Sequence, residues 1–154
     1  MVLATLHTND AAGALPRLTN MGIEPFLTTS AVGCVVAQRL ARRLCEGCKE
    51  PISVSEAVLR NVGFPFDLWQ DEKMAFHKPV GCEKCHGSGY FRREGIYELM
   101  PVSKEVETLA LSRSSADEIG RAAVKAGMVR MRADGLTKAA RGVTSIEEIL
   151  RTTV

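Results

Sequence analysis

Long apolar runs are missing from this sequence. No stretch approaches the ~18 consecutive apolar residues that a membrane-spanning helix needs. The apolar opening, Val2 to Leu6, runs directly into His7-Thr8-Asn9-Asp10. It has no basic segment before it and no small-residue cleavage site after it, so it does not read as a secretory signal. Charge of one sign is also scarce. Twenty Lys and Arg face 18 Asp and Glu, and the formal charge of +2 is too small to imply nucleic acid through its field alone. Aromatic residues amount to 5%, which leaves few faces for stacking bases, and no DNA- or RNA-reading motif accompanies the basic residues. A G-x-x-x-x-G-K-S/T loop is absent as well, so nothing in these residues cradles β- and γ-phosphates. Internal repeats and low-complexity tracts are likewise missing.

What is present has the balance of a globular chain, 45% hydrophobic and 25% charged. The 154 residues suffice for one ordinary domain or two small modules sharing a core. Val2 to Leu6 reads as a buried parallel strand, with a helix starting after Asn9 or Asp10. A strand of that kind needs neighbours on both sides, so the natural protein is expected to extend upstream of Met1. Between Pro25 and Leu44, Val32, Val36, Leu40 and Leu44 recur every four residues and predict a helix. Its C-terminal end would gather Arg39, Arg42 and Arg43, where the macrodipole favours cations. The alternative for that cluster is contact with nucleotide phosphates or an acidic neighbour.

Ser53 and Glu56 form a capping box for a short helix that Gly63 ends. Pro65 to Val80 reads as loop, with Phe64, Phe66, Trp69 and Phe76 as a small satellite core. Residues 81–90 are too rich in glycine for regular structure, and the stretch FRREGIYELM suggests strands. The last third is helical. Ser103 caps one helix, and Ser115 with Glu118 boxes a second that Gly127 stops. A third carries Met131, Leu136 and Ala139 and stops near Gly142, and Thr144 with Glu147 boxes a fourth.

Four of the five cysteines fall into two C-x-x-C pairs, Cys45-Glu-Gly-Cys48 and Cys82-Glu-Lys-Cys85. Without a secretory signal this pattern points to metal rather than disulfides, with the cytoplasm as the default compartment. Each turn can aim two thiolates at one ion, and two turns complete a tetrahedral set with no open position, which is a structural site. Zinc suits four thiolates, and iron is its main competitor. Such a centre carries a charge of −2, and Arg42, Arg43, Lys49, Lys84, Arg92 and Arg93 are near enough in sequence to balance it.

Two other patterns overlap the second pair. Cys82 to His86 matches the C-x-x-C-H of haem attachment, which would require export and leave Cys45 and Cys48 without a role. Cys82 to Gly89 matches C-x-x-C-x-G-x-G, a unit that resembles the repeat of DnaJ-type cysteine-rich domains, where four repeats occur and not one. The glycines read better as freeing the backbone around the metal loop. Cys34 stands alone and is expected as a small buried hydrophobe on the helix. His7 follows the apolar strand, and ligands of parallel α/β folds bind outside the carboxyl ends of strands. The plainer reading of His7 is a hydrogen-bonded structural histidine. His77 and His86 are candidates for neighbours of the ion.

VLATLHTNDAAGALPRLTNMGIEPFL resembles the His-box segment of the type II secretion and type IV pilus assembly ATPases. The resemblance continues in that family's order through VAQRLARRLCEGC, GCEKCHGSGYFRREGIYELMPV and MRADGLTKAARGVTSIEEI, and so covers nearly the whole chain. It implies an α/β fold, mainly helical in these residues. Residues 1–44 would be the end of a RecA-like ATPase core, 45–90 an inserted tetracysteine zinc module, and 91–154 a strand segment with a helical C-terminal subdomain. His7 takes the place of the His-box histidine on the γ-phosphate side, and Cys45, Cys48, Cys82 and Cys85 take those of the metal ligands. The family's GY-x-G-R turn appears as Gly89-Tyr90-Phe91-Arg92-Arg93, with Arg92 where a glycine is usual.

The family's Walker A and B motifs precede its His box, so the resemblance makes this chain the C-terminal part of such a motor, truncated before the His box. ATP and Mg²⁺ would bind, and His7 would be catalytic, only in the intact parent. The residues here would give Zn²⁺-stapled structure and interaction without hydrolysis of their own. The parent is expected to be a homo-hexamer at the cytoplasmic face of the inner membrane. It would power pilin or pseudopilin assembly with membrane platform and assembly proteins, and no nucleic acid. The alternatives are a free-standing zinc-ribbon module that binds nucleic acid, and a chaperone-like module that binds unfolded peptide.

Overall fold

The computed structural model describes residues 1–69 and 73–153. Helix and sheet are mixed. In chain order come α1 (Ala14–Asn20), α2 (Pro25–Ala31), β1 (Cys34–Leu44), β2 (Glu50–Pro51), α3 (Glu56–Asn61) and β3 (His77–Lys78). They are followed by β4 (Tyr90–Pro101), α4 (Lys104–Leu111), α5 (Ala116–Lys125), α6 (Met131–Ala140) and α7 (Ile146–Thr152). Single 3₁₀ turns lie at Phe66–Leu68 and Glu83–Cys85. Among the described residues β1 pairs with β4 and β2 with β3. None of these helices is long and apolar enough to cross a membrane. The chain forms two compact units, one of Met1–Gln38 with Tyr97–Arg130, the other of Arg39–Ile96 with Met131–Val154.

In the first unit α1, α2, α4 and α5 pack on one another. Their buried side chains include Leu15, Val106, Ile119 and Ala123, with Met100 from β4. Two helices start where the sequence places their caps. Ser103 Oγ accepts the Val106 N–H at the head of α4, and at α5 both halves of the Ser115–Glu118 box form. Gly127, at φ 102°, follows α5 in the left-handed region that favours glycine.

The expected buried strand at Val2 to Leu6 is not formed. Residues 1–8 carry no regular structure, and Val2 and Leu3 are 91% and 86% exposed. Neither sheet offers this segment a neighbour, and an apolar strand without partners buries nothing. The helix then begins at Ala14, because residues 9–13 first make a turn in which Asp10 Oδ1 accepts the Gly13 N–H at 2.8 Å.

The helix expected from Pro25 to Leu44 is corrected too. It ends at Ala31, and Cys34 to Leu44 is strand. Four-residue spacing satisfies a period of two as well as it does a helix. Along β1, buried or half-buried Val35, Ala37, Arg39, Ala41 and Arg43 alternate with exposed Val36, Gln38, Leu40 and Arg42. Val36 and Leu40, read as a helical core stripe, therefore face outward, and Arg39, Arg42 and Arg43 lose the helix end that explained them. Cys34, expected to be buried, is exposed at the start of the strand.

In the second unit β2 and β3 pair antiparallel, Glu50 opposite Lys78 and Pro51 opposite His77. The helix expected after Ser53 is capped two residues later, by Ser55, whose Oγ accepts the Val58 N–H. Phe64 stands edge-on to Phe66, Trp69 and Phe76, the satellite core that the sequence suggests. Of the loop read from Pro65 to Val80, residues 70–72 lie outside the described residues. α6 and α7 pack so closely that a Cβ at Gly135 would meet Ile149 Cδ1 at 2.8 Å. Ser145, one residue beyond the expected Thr144, caps α7.

Glu148 on α7 has a fully buried side chain. It accepts from the Arg42 backbone N–H at 2.9 Å, from the Arg42 guanidinium at 2.6 and 2.9 Å, and from Arg151 at 2.6 and 2.9 Å. Arg42 also lies 4.2 Å from the centre of the Tyr90 ring, whose hydroxyl shares a 2.8 Å hydrogen bond with Ser145. Burial pushes this carboxyl up, but the hydrogen bonds from Arg151 and Arg42 outweigh that and hold it at about 2.

A folded pKa below the ordinary value means stability that is present above about pH 4.5 and lost as pH falls toward 2. Glu148→Gln is therefore expected to unfold about 1–3 kcal/mol more easily than the wild type at pH 7, a gap that closes between pH 4.5 and 2. Denaturant titrations of both proteins across that range check it. Arg92, inside β4, holds φ at 72°, a conformation that glycine adopts without strain and other residues rarely do. Arg92→Gly should raise the melting temperature, by about 0.5–1 kcal/mol of stability.

Candidate metal centre

Two turns build the cluster. The first leaves the end of β1: Leu44 donates its N–H to Val143, and Cys45 donates to Gly89. The N–H groups of Cys48 and Lys49 both return to the Cys45 carbonyl, which curls the chain so that two sulfurs face one side. The second turn is the 3₁₀ segment Glu83–Cys85. The N–H groups of Cys85 and Gly87 bond the Cys82 carbonyl, and Ser88 Oγ donates to the Cys85 carbonyl at 2.6 Å just before β4 begins. The Cys45 N–H bond to Gly89, 3.0 Å long, ties the two turns together.

The four sulfurs Cys45, Cys48, Cys82 and Cys85 all lie within 4.8 Å of one another. Three edges are 3.8 Å (Cys45–Cys82), 3.8 Å (Cys48–Cys85) and 3.7 Å (Cys82–Cys85). All four thiols are free of disulfides. The cluster can hold one metal ion, with two ligands buried and two half-buried.

Backbone donors serve the sulfurs. The Gly81 N–H points at Cys48 Sγ (3.3 Å), and those of Cys82 and Gly89 point at Cys85 Sγ (3.1 and 3.2 Å). Burial pushes the Cys85 thiol up, but these two N–H groups reverse the effect and bring it to about 6. For Cys48, burial and the neighbouring thiols win over the single Gly81 N–H, and the thiol rises to about 11.

The glycines are required by this geometry. Gly81 sits at φ 117° with a would-be Cβ 2.6 Å from the Gly87 carbonyl oxygen, and Gly89 at φ 74° with one 2.5 Å from Pro79 Cβ. The sequence marked them as loosening the loop. The structure shows them as the only residue type that lets donors reach the sulfurs.

Of the cations expected to balance the cluster, three have other partners. Arg42 pairs with Glu148, and Arg43 and Lys49 pair with Glu46. Lys84 and Arg92 flank the Phe91 ring, each 5.7 Å from its centre. Neither His77 nor His86 joins the four sulfurs. His77 shares a 2.7 Å hydrogen bond with the Ala75 carbonyl, and His86 is exposed in the left-handed region at φ 51°. His7 belongs to the first unit and is exposed at the end of the irregular segment 1–8. Glu148 and Glu98, both buried acids, were not singled out by the sequence, whose only hint was a Glu two and three residues after a cap or amid apolar strand residues.

Two cysteine turns converge on one point and form a four-sulfur cluster that could hold a metal ion. Residues 1–151 match the profile of the family described as Type II/IV secretion system protein, and the chain belongs to that family. It is 47% identical over 154 residues to a type IV pilus assembly ATPase PilB of Acinetobacter baylyi, covering 99% of this chain and 26% of that protein. With the PilB of Myxococcus xanthus it shares 44% over 154 residues, 99% of this chain and 27% of the other. With type II secretion system protein E of Pseudomonas aeruginosa it shares 44% over 153 residues, 99% and 30% respectively. The chain thus spans about a quarter of the length of these relatives.

Gly89→Ala puts a methyl group against Pro79 and strains the left-handed backbone. It is expected to weaken metal retention about 10- to 100-fold against a competing chelator, at a cost of about 1–3 kcal/mol. Chelator titration of the metal-loaded wild type and variant measures this directly.

Proposed function

We propose that these residues are the zinc-stapled C-terminal region of a motor ATPase that powers type IV pilus assembly or type II secretion. The observation that carries the reading is the sulfur cluster in a chain that matches this family over residues 1–151. Four ligands at the usual Zn–S length of about 2.3 Å in a tetrahedron stand about 3.8 Å apart, which is the spacing of the measured edges. The all-sulfur donor set and the N–H groups at Cys48 and Cys85 suit a thiolate-bound, closed zinc site. Zinc bound there supplies folding free energy, on the order of 10 kcal/mol in small modules, and no catalysis.

In this reading the first unit belongs to a RecA-like core, and His7 stands on the γ-phosphate side of the nucleotide in the assembled enzyme. The enzyme works as a hexamer with an inner-membrane platform. Phosphoryl transfer rests on positioning by a P-loop and Mg²⁺, and the 154 residues contain no P-loop. By themselves they bind zinc and hold structure without hydrolysing ATP.

The test is one purified sample of the chain, under reducing conditions without chelator, assayed for metal and ATP turnover. One zinc per chain and no turnover is the expected pair of results. Cys45→Ser and Cys85→Ser should each lose the ion and loosen residues 45–90, while α4 and α5 keep their amide protection. Zinc content unchanged in either variant would sink the four-ligand assignment, and ATP hydrolysis by the chain would sink the absence of a nucleotide site.

A further inference from the structure

The first unit contains one buried acid that the metal centre does not use. Glu98 lies on β4, 2% exposed, between outward-facing Tyr97 and Leu99. Its Oε1 accepts the Ala11 N–H at 3.2 Å, a bond that joins positions 87 residues apart. Ala11 and Ala12 are fully buried, so this N–H has no water to turn to. A buried donor without an acceptor is costly, and an acceptor that carries charge bonds it more strongly than a neutral one.

The turn that Glu98 grips is the one that follows His7. Asn9 to Gly13 link the irregular segment 1–8 to α1, and two local bonds shape the turn. Thr8 Oγ1 donates to the Asp10 carbonyl at 3.0 Å, and the Gly13 N–H donates to Asp10 Oδ1 at 2.8 Å. The position of Gly13 is tight, since a Cβ there would come within 2.9 Å of Asp10 Oδ1. These two bonds fix the internal form of the turn but not its place in the unit. The bond from Ala11 to Glu98 ties the turn to a distant strand. Residues 1–8 have no strand partner among the described residues, and the Ala11 bond to Glu98 holds the turn that follows His7.

We infer that Glu98 is a positioning residue: its carboxylate clamps the Ala11 amide and thereby sets where His7 stands. This rests on the reading of His7 as a nucleotide-side residue of the assembled motor. Glu98 acts through the backbone four residues from His7 and touches no reacting atom. A strand supplies the carboxylate because a β-strand holds its side chains at fixed height and direction, whereas the turn it grips could otherwise shift as a body.

The experiment is amide hydrogen exchange and histidine-ring NMR on the isotope-labelled 154-residue chain, without nucleotide. Glu98→Leu removes the acceptor and should speed exchange at Ala11 about 100-fold. Glu98→Gln keeps a neutral acceptor and should hold the loss to about tenfold. The His7 ring resonances should move in the Leu variant and stay near their wild-type positions in the Gln variant. Exchange at Ala122 in α5 serves as the control for general destabilisation and should change little in either. Ala11 exchange equal in wild type and Glu98→Leu would overturn the clamp. So would a Gln variant as disturbed as the Leu variant. Faster exchange at Ala11 with unmoved His7 resonances would overturn the positioning of His7. Because no nucleotide or metal enters these readouts, failure of the motor reading, seen as turnover by the chain or absence of zinc, leaves them unaffected.

Discussion

The second unit depends on the closure that brings Cys45 to Cys82 and Cys48 to Cys85 across 37 positions of sequence. Among its described residues the segment between the two turns is poor in regular structure: two-residue strands β2 and β3, the short α3 and one 3₁₀ turn. Among its described residues the main apolar feature is the group of Phe64, Phe66, Trp69 and Phe76. Such a segment buries too little to offset the entropy of ordering it, and in the proposed reading a metal link supplies what a core of this size cannot. The Cys45 bond to Gly89, the glycines at φ 117° and 74°, and the N–H groups turned toward sulfur are all conditions of that closure.

A second constraint meets the first at Arg42. This residue sits three positions before Cys45, stacks on Tyr90 where β4 leaves the cysteine loop, and forks onto Glu148 of α7. A buried carboxylate held by two arginines is expensive to break from either side, since removing one partner leaves a charge without compensation. The arrangement fixes α7 against the strand that delivers Cys45. The helical end of the chain and the cysteine loop therefore share one set of electrostatic supports.

How much of this was legible follows from the range of each interaction. Caps are local, so Ser103 and the Ser115–Glu118 box could be read from neighbours three apart, as could the C-x-x-C pairs. Where two hydroxyls compete, the true cap moved, to Ser55 and to Ser145, because local spacing alone does not choose between them. β1 failed as a helix because Val36, Leu40 and Leu44 fit both periods, and the pairing with β4 that decides the matter lies some fifty residues on. Glu98 and Glu148 were silent for the same reason. Their partners, Ala11 and Arg42, are 87 and 106 positions away. Arg92 stood out in the sequence where the resemblance expects glycine, and its φ of 72° lies in the left-handed region that favours glycine.

The closure between the two cysteine turns also sets where this region can tolerate change in length. Closure entropy rises only with the logarithm of loop size, about 0.6 kcal/mol for each doubling. An insertion in the stretch that leads from α3 to β3 is therefore cheap, so long as the aromatic group still closes. One residue added between β3 and Cys82 is a different matter. It would carry the Gly81 amide away from Cys48 and lift Pro79 off the space left open by Gly89. Tolerance for indels is thus confined to one arm of the loop, and the short approach to the second cysteine pair is fixed to the residue.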